Sequence, residues 1–421
     1  MKPPGAPVSS PESYRTLTIR DLGAQGDGIA ENDGQTVFAP FTLPGETVIA
    51  DVQGERARLI DVLVPSPDRA GARCAHYGVC GGCSLQHMSD SSYLAFKQRL
   101  VENALAAEGV EAAVEPVVAV PPRTRRRATF AATAASRGVA FGFHGRRSHE
   151  IIPISDCAVL TPGLLALIPQ LAALARIAAP AKGSLVVTVL ETLTGFDVAI
   201  AGVGKWFSAD ARAELVARAG AAGLARISID GETVLQREAP AVRAGSAFLT
   251  PPPAGFLQAT RPSEQLMVDL VEKAVGSARS VADLFSGAGT FSLPLAARAN
   301  VHAVESDAPA LKALDDAARR TPLLKTVTTE RRDLFRRPLT KDELKRFDAV
   351  VLDPPRVGAE TQSRNLAGSS VKRIAYVSCN SVTFARDLGI LVAGGYRIDQ
   401  VTPIDQFLYS AHIEIVAALS K

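Results

Sequence analysis

The chain has 421 residues, 47% of them hydrophobic and 21% charged, with a formal net charge of +3 at pH 7. This composition allows two or three domains with large cores and excludes global disorder. The net charge is too small to indicate a nucleic-acid partner, so that inference depends on local basic clusters. No segment reaches the roughly 20 apolar residues of a membrane helix. We therefore expect a soluble cytoplasmic monomer without membrane contact.

The first predicted elements are a flexible tail over residues 1–13, rich in proline and serine, and a small β-barrel over residues 14–64. Short apolar segments separated by glycine turns indicate the barrel, and one predicted strand runs from Leu22 to Ala30. The run G-x-x-G-x-G-I-A from Gly23 to Ala30, followed by P-x-x-x-P-G-E from Pro40 to Glu46, resembles the TRAM domain. This resemblance implies an OB-like RNA-binding barrel, and a barrel without RNA contact is the alternative.

A central domain of mixed α/β structure is predicted over residues 65–250, and it contains four of the five cysteines: Cys74, Cys80, Cys83 and Cys157. Three thiols spaced as C-x5-C-x2-C can bind one soft metal centre. An odd cysteine count in a cytoplasmic protein favours metal binding or catalysis over disulfides. The spacing leaves an iron–sulfur cluster and structural zinc equally open, with free thiols as the weaker alternative.

Two basic clusters lie in the same central domain, after a predicted helix over Tyr93–Ala107. Arg123 to Arg127 holds four arginines before a predicted strand, and Arg146-Arg147 lies between two further strands. Such clusters suit an RNA phosphate backbone. Solvated charged turns are the alternative.

Pro251-Pro252-Pro253 marks a linker to the last predicted domain, residues 251–421. Alternating apolar strands and helices there predict a doubly wound, Rossmann-like parallel sheet that binds its ligand at the carboxyl ends of the strands. The strands are predicted near Val281, Val301, Thr326, Ala349, Ile374, Ile398 and Ile413.

A glycine-rich turn in residues 281–295 follows the first of these strands and opens a helix. Its spacing, G-x-G-x-x-S, lacks the third glycine of the dinucleotide fingerprint, which disfavours NAD or FAD. Glu305 ends the second strand, where an acid can accept hydrogen bonds from ribose hydroxyls. Its alternative role is to begin the next helix. S-adenosylmethionine offers a ribose and an adenine but no phosphate, which suits such a loop.

Three further strand ends carry reactive side chains. Asp353-Pro354-Pro355-Arg356 ends one strand, and Arg356 stands where amino-methyltransferases have an aromatic residue, which argues against amine methylation. Cys379 ends the next strand, where a thiolate is a nucleophile and a buried free cysteine is the alternative. Glu414 lies among apolar residues of the final strand, so it is either ion-paired or used in chemistry.

Together with Phe256-Leu257-Gln258, these motifs stand in the order of a known family. The chain resembles the RNA uracil-5-methyltransferases, specifically the iron–sulfur 23S ribosomal RNA branch with an N-terminal TRAM domain. This resemblance implies that Cys379 is the nucleophile and Glu414 the base, and that Cys74, Cys80, Cys83 and Cys157 hold a [4Fe–4S] cluster. It implies S-adenosylmethionine contacts by Gln258, Phe285, Thr290, Glu305, Asp333 and Asp353.

Some positions depart from the family pattern. Thr290 and Thr260 stand where asparagine is frequent, and Phe407-Leu408 replaces the usual Phe-Pro. These departures concern cofactor contacts, Thr290 above all, and do not touch Cys379 or Glu414.

The mechanism that this resemblance implies begins with attack of the Cys379 thiolate on C6 of a uracil, which makes C5 nucleophilic. After C5 is methylated, Glu414 removes the C5 proton and the thiolate leaves. The target base has to leave its stack to be reached. The alternatives are a transfer-RNA substrate, an RNA cytosine-5-methyltransferase, and a non-catalytic iron–sulfur RNA-binding protein. Arg356 disfavours the cytosine enzyme, because that class usually has a second cysteine there.

Overall fold

The computed structural model describes residues 13–136, 138–180, 182–204 and 207–421. Except for Ser13, the predicted tail lies outside the described residues. An N-terminal six-stranded sheet comes first, in the strand order β1-β5-β6-β4-β3-β2. Its strands are β1 (Tyr14–Thr18), β2 (Asp21–Leu22), β3 (Gly28–Asn32), β4 (Gln35–Ala39), β5 (Thr47–Gln53) and β6 (Arg56–Val64).

The prediction of one strand from Leu22 to Ala30 is wrong, because a glycine-containing turn between β2 and β3 folds this segment into a hairpin. Gly23 donates its N–H to the Asp27 carbonyl within that turn. In the described residues β1 and β2 are the two edge strands of this sheet, and they do not pair with each other to close it. The closed OB-like barrel therefore stays a prediction.

A central seven-stranded sheet follows helix α1 (Asp90–Ala107) in the chain and has the order β13-β12-β11-β10-β7-β8-β9. Helices α2 (Pro162–Ala178) and α3 (Ala209–Ala221) bury their apolar faces in its core. None of the helices in the described ranges is long and apolar enough to cross a membrane. The strands are β7 (Arg127–Ala135), β8 (Gly138–His144), β9 (Ile151–Ile152), β10 (Ser184–Thr192), β11 (Gly195–Ala201), β12 (Arg226–Ile229) and β13 (Glu232–Gln236).

The C-terminal part begins with a hairpin and continues as a second seven-stranded sheet, flanked by helices. Its elements are β14 (Val242–Ala244), β15 (Ala247–Leu249), α4 (Arg261–Val275), β16 (Ser280–Leu284), α5 (Ser292–Leu295), β17 (Asn300–Glu305), α6 (Ala308–Arg320), β18 (Val327–Arg331), α7 (Lys341–Leu344), β19 (Ala349–Leu352), α8 (Glu360–Ala367), β20 (Arg373–Ser378), α9 (Ser381–Ala393), β21 (Arg397–Ile404) and β22 (Glu414–Ser420).

The sheet order β18-β17-β16-β19-β20-β22-β21 is Rossmann-like, with five parallel strands from β18 to β20. Apolar side chains cover both faces of the central strands, as buried parallel sheets require. The expectation of a wholly parallel sheet is wrong at one place, since β22 runs antiparallel to both β20 and β21. Residues 405–413 join β21 to β22, and this connection is too short for the crossover that parallel neighbours need.

Helix α1 packs on the C-terminal sheet, although the sequence assigns it to the central domain. Val101 and Leu105 share one buried core with Ile374 and Leu388. The extended segment after this helix also pairs with β21, through the Val114–Val401 bridge. The polypeptide therefore enters the C-terminal core before it builds the central sheet, which a linear division at residue 250 does not capture.

Candidate active site

The site lies at one edge of the C-terminal sheet, where the carboxyl ends of β16, β17, β19 and β20 meet the first residue of antiparallel β22. The chain leaves β16 toward β17 and β18 on one side and later returns to β19 and β20 on the other, so the strand order reverses at β16. A reversal of this kind opens a crevice at the strand ends, which is where open α/β sheets bind ligands.

The glycine loop crosses this crevice directly after β16. Phe285 and Gly289 both have positive φ, +62° and +97°. A Cβ on Gly289 would lie 2.4 Å from Leu314 Cδ1, so the loop packs on α6 only with glycine there. A Cβ added to Gly287 would have no atom within 4 Å, so this part of the loop is open to a ligand. Thr290 is half-buried at the end of the loop.

Asp283 and Ser286 are buried polar residues of this loop region that the sequence interpretation did not assign to the site. Ser292 Oγ donates to Asp283 Oδ2 at 2.5 Å, whereas Asp283 Oδ1 and Ser286 Oγ have no hydrogen-bond partner among the described residues. Burial raises the pKa of Asp283 to about 7, and the Glu305 carboxylate adds to this effect. Unpaired buried polar atoms are costly, so a polar ligand over the loop would satisfy them.

Glu305 connects the glycine loop to the end of β17. Its Oε2 accepts the N–H of Gly287 at 3.1 Å, while Oε1 accepts the N–H groups of Ser306 at 2.6 Å and Asp307 at 2.9 Å. The carboxylate thus holds the turn into α6, which was the alternative role, and still lies beside the loop. Both roles weighed for Glu305 are compatible with this position.

Phe285 forms an aromatic pair with Phe335, with ring centroids 5.3 Å apart. Both line a cavity of about 150 Å³ together with Val357. Asp333 lies beside it, and its Oδ1 accepts the Phe335 N–H at 3.0 Å, which shapes the turn after β18. Phe335 was not predicted, although half of its surface is exposed next to the predicted Phe285 and Asp333. The two rings and Val357 thus give this cavity an apolar wall.

Cys379 and Glu414 lie opposite each other because of strand register. Ser378, the last residue of β20, pairs with Ile415 of antiparallel β22, so the next residues on the two strands are Cys379 and Glu414. Burial and the neighbouring carboxylates raise the pKa of Cys379 to about 11, and Arg356 opposes this rise. Burial, together with repulsion from Asp353, raises the pKa of Glu414 to about 8.

Asp353 and Arg356 complete the charged part of this edge. Burial and repulsion from Asp283 raise the pKa of Asp353 to about 7. The side chain of Asn380 fixes the loop after β19, since its Nδ2 donates to the Arg356 carbonyl at 2.8 Å. The Arg356 side chain lies near the Cys379 thiol, and its positive charge opposes the rise of the thiol pKa. A basic side chain therefore lies where it favours the thiolate, the reactive form of cysteine.

Gln258 reaches the site through Gln406, a buried residue that the sequence interpretation missed. Gln406 Nε2 donates to Gln258 Oε1 at 2.9 Å and to Glu414 Oε2 at 3.0 Å. Ser263 Oγ donates to Gln406 Oε1 at 2.6 Å. The only sequence signal was a glutamine between the buried Ile404 and the loop before the final strand.

Cys74, Cys80, Cys83 and Cys157 all line one cavity of about 380 Å³. Burial raises the pKa of Cys80, Cys83 and Cys157, that of Cys83 to about 12, and proximity of the other thiols adds to each rise. Within the described ranges, no three His, Cys, Asp or Glu side chains converge on a single ion position. The four thiols thus surround a shared space without forming the shell of one ion.

The predicted phosphate-binding arginines are mostly engaged inside the protein. Arg126 is buried and donates to Glu264 at 2.6 Å. Arg125 is recessed along the wall of the thiol cavity. Arg146 donates to Asp27 at 2.6 Å and covers the Phe41 ring, which places it between the N-terminal sheet and the central domain. These contacts within the protein give the arginines structural roles, which their clustering in the sequence could not show.

The strand order, the glycine loop after β16 and the acidic strand ends define a Rossmann-like methyltransferase. The family model described as tRNA (uracil-5-)-methyltransferase matches residues 213–421. An uncharacterised RNA methyltransferase of Rhizobium meliloti (strain 1021) is 49% identical over 97% of this chain and 100% of its own. The 23S rRNA (uracil(1939)-C(5))-methyltransferase RlmD of Halomonas elongata is 34% identical, over 97% of this chain and 90% of its own.

A solved structure shares this fold across nearly the whole chain. The tRNA (uracil-54, C5)-methyltransferase of Pyrococcus abyssi, in complex with S-adenosyl-L-homocysteine, superposes with a TM-score of 0.75 at 24% identity. The match covers 96% of this chain and 99% of that one. With these similarities the chain belongs to the RNA uracil-5-methyltransferase family, as the motifs predicted.

Proposed function

We propose that this protein transfers a methyl group from S-adenosylmethionine to C5 of a uridine in 23S ribosomal RNA. The observation that carries the proposal is the register that sets a thiol and a carboxyl, Cys379 and Glu414, face to face at the ligand edge of the sheet. The 34% identity to a relative named for 23S ribosomal RNA supports this substrate. Transfer RNA is the second candidate, because the matching family model bears that name.

The cofactor would lie across the glycine loop, where S-adenosylmethionine supplies an electrophilic methyl group. Phe285 and Phe335 would enclose its adenine in the small apolar cavity, and Glu305 would face its ribose. The unpaired polar atoms of Asp283 and Ser286, and the open space above Gly287, fit a polar ligand there. Gln258, Thr290, Asp333 and Asp353 remain proposed contacts at the same edge of the sheet.

Cys379 would act as the nucleophile that activates the uracil. The thiol gives its proton to solvent, and the thiolate sulfur bonds to C6 while the C5–C6 π electron pair moves onto C5 and O4 of the ring. The pKa of about 11 already includes the lowering by the adjacent Arg356, so the group is mostly a thiol at neutral pH and the attacking thiolate is the minor form. C5 would then be nucleophilic enough to take the methyl group, whose bond to the cofactor sulfur would break to leave S-adenosylhomocysteine, and C5 would carry both a methyl and a hydrogen.

Glu414 would finish the reaction as general base. Its carboxylate takes the C5 proton, the C5–H electron pair re-forms the C5–C6 double bond, and the C6–S bond breaks to release Cys379. Position supports this role, because Glu414 and Cys379 are neighbours across the end of paired strands. A base on this side can reach C5 while C6 is still bonded to sulfur.

The thiol cavity would hold a [4Fe–4S] cluster on Cys74, Cys80, Cys83 and Cys157. The proposal is supported by the four thiols that line one space, since a [4Fe–4S] cluster takes one cysteine thiolate on each of its four irons. The N-terminal sheet would grip the RNA, in keeping with the TRAM-like motif.

The test uses labelled methyl donor and two RNA fragments, one from 23S ribosomal RNA and one from transfer RNA. We expect methyl transfer to a uridine of the ribosomal fragment, none with Cys379→Ala, and unchanged cofactor binding in that variant by calorimetry. Glu414→Gln nearly conserves shape and removes the base, so the methylated RNA should stay bonded to the protein and shift its band on a denaturing gel.

Appreciable turnover by Cys379→Ala would end the thiolate mechanism. A well-folded Glu414→Gln variant with normal turnover and no shifted band would remove Glu414 as the base. Methylation of the transfer-RNA fragment alone would show that transfer RNA, and not 23S ribosomal RNA, is the substrate. Methylation of cytosine instead of uridine would identify the protein as a cytosine-5-methyltransferase. RNA binding without any methyl transfer would leave the non-catalytic reading.

A further inference from the structure

We propose that Gln406 is a positioning residue that holds the Glu414 carboxylate in place for proton removal and ties it to the cofactor side of the site. This inference rests on the proposed function and deepens it. One amide nitrogen carries both contacts, since Gln406 Nε2 lies 2.9 Å from Gln258 Oε1 and 3.0 Å from Glu414 Oε2. A side-chain amide has two N–H donors, so this geometry uses both of them.

The orientation of the Gln406 amide is set from its other end. Ser263 Oγ donates to Gln406 Oε1 at 2.6 Å, and Ser263 itself is held by the Thr260 hydroxyl at 2.6 Å in the first turn of α4. If the amide were flipped, its oxygen would face the oxygens of Gln258 and Glu414, which are both acceptors. With Gln258 oriented as it is and Glu414 ionised, as a base has to be, the Gln406 orientation that satisfies both contacts presents a donor to the base.

A donor at this position favours the charged form of Glu414, which is the form a base needs. The groups that face Glu414 divide in their effect on its pKa. Asp353 repels the carboxylate and raises the pKa, whereas Arg356 and Gln406 lower it, and Cys379 lies across the strand ends. Gln406 is fully enclosed, with 3% of its surface exposed, so water cannot replace its donated hydrogen bond.

The Gln406→Met variant removes both donors with little change in volume and tests the proposal. Loss of a hydrogen bond to a charged group should slow release of the methylated RNA about 10- to 100-fold. Single-turnover methyl transfer should change much less, because Glu414 acts only after C5 is methylated. The covalent protein–RNA band should accumulate on a denaturing gel and decay slowly. The release rate should recover at higher pH, where Glu414 ionises without help.

Three further variants separate positioning from general damage. Asn365→Leu removes a half-buried side-chain amide outside the site, one that donates to the Leu339 carbonyl at 2.9 Å, and should lower stability without trapping RNA. Ser263→Ala frees the Gln406 amide and should slow release less than Gln406→Met does. If that methionine variant does not fold, Ser263→Ala carries the test alone. In the Glu414→Gln background, Gln406→Met should add no further slowing, because both changes act on one step.

Each outcome decides between the inference and the function beneath it. Wild-type protein that methylates uridine, together with a folded Gln406→Met variant that has the wild-type release rate and pH profile, would overturn the role of Gln406 alone. Additive slowing in the double variant would also overturn it, since Gln406 would then act elsewhere. Wild-type protein without uridine methylation would overturn the proposed function itself, and the inference with it.

Discussion

Three carboxyl groups at the sheet edge have pKa values near neutrality. Burial raises the pKa of Asp283 and of Asp353 to about 7 and that of Glu414 to about 8. Repulsion from a neighbouring carboxylate adds to each rise. Clustered acids with raised pKa values are typical of functional sites, where burial and like charges shift the pKa of a group toward the value that its chemistry needs. Ionising these carboxyl groups costs free energy in the ligand-free protein, and positive or hydrogen-bonding groups of a bound ligand would lower that cost.

Asp283→Asn should make the ligand-free protein more stable at pH 8 but not at pH 4. The pKa of Asp283 rises from 3.8 to about 7 on folding, so between these values the folded state binds more protons than the unfolded state. Stability therefore falls as pH rises through this window, and asparagine removes that loss, by about 1–3 kcal/mol at pH 8. Urea unfolding of both proteins at the two pH values measures this difference.

The Ser292→Ala variant serves as a control for this prediction, because it removes a hydroxyl that donates to Asp283 Oδ2 and keeps the carboxyl. That variant should lose stability, most of all at high pH where the carboxylate needs its donor. An Asp283→Asn protein with the same pH dependence as wild type would show that Asp283 ionises freely.

At the scale of elements, the sequence predicted the parts that local pattern controls. All seven strands of the C-terminal sheet were predicted, and the predicted helix Tyr93–Ala107 corresponds to α1. Hydrophobic period and glycine turns report on neighbouring residues, so they could not show that β22 inserts antiparallel between β20 and β21. They also could not show which sheet α1 covers, because an apolar helix face fits either core.

The same limit explains which site residues could be predicted. Cys379 and Asp353 directly follow apolar strands, where α/β folds place ligand-binding groups, so their meeting follows from topology. Gln406 belongs to the connection between β21 and β22, and its two contacts come from residues far apart in the chain. Nothing in the local sequence distinguishes such a glutamine from an ordinary loop residue.

That connection is held by α1 through a buried ion pair. Lys97 Nζ donates to Asp405 and also to the carbonyls of Phe407 at 3.0 Å and His412 at 2.7 Å. Tyr93 donates to Asp405 Oδ1 at 2.8 Å. Neither member of the pair is exposed by more than 1%. A helix remote in sequence thus fixes the segment that presents Gln406 and leads to the final strand.

Lys97→Met should destabilise the protein by about 3–5 kcal/mol, because it leaves the Asp405 carboxylate buried without its cation. The double variant Lys97→Met/Asp405→Asn removes the charge and keeps an acceptor for Tyr93, so it should recover much of that loss. Guanidinium unfolding of the two variants measures the comparison. A single variant as stable as wild type would mean that Lys97 does not compensate Asp405.

At the scale of the whole molecule, one acid joins the N-terminal sheet to the central domain. Asp27 accepts from Arg146 at 2.6 Å and from Arg147 at 3.2 Å, and also from Arg56 of its own sheet at 3.1 Å. RNA binding by Arg146 stays a prediction, and its contact with Asp27 gives it a further role in positioning the N-terminal sheet. Its side chain is only 20% exposed, so a phosphate would have to compete with Asp27 for it.

The cysteine segment joins the central domain to the C-terminal sheet in the same way. Ser84 and Leu85, directly after Cys83, both donate their N–H groups to the Tyr409 carbonyl, at 2.8 and 2.9 Å. Arg73, directly before Cys74, donates to the Tyr409 hydroxyl at 2.9 Å. Both ends of the segment are thus attached to the connection that carries Gln406. A group bound between the cysteines would stabilise this contact from the central side.

We predict that protein purified without oxygen contains about four irons and four sulfides per chain. Cys83→Ser should lose them and melt at a lower temperature, because structural metal centres contribute their binding energy to folding. Proteolysis should then cut between residues 70 and 90, where the segment loses its attachment. Cys379→Ser is the matched control, since it changes the one cysteine outside the cavity and should keep its iron, sulfide and melting temperature. Stoichiometric zinc in the anaerobic protein, with neither iron nor sulfide, would contradict the cluster.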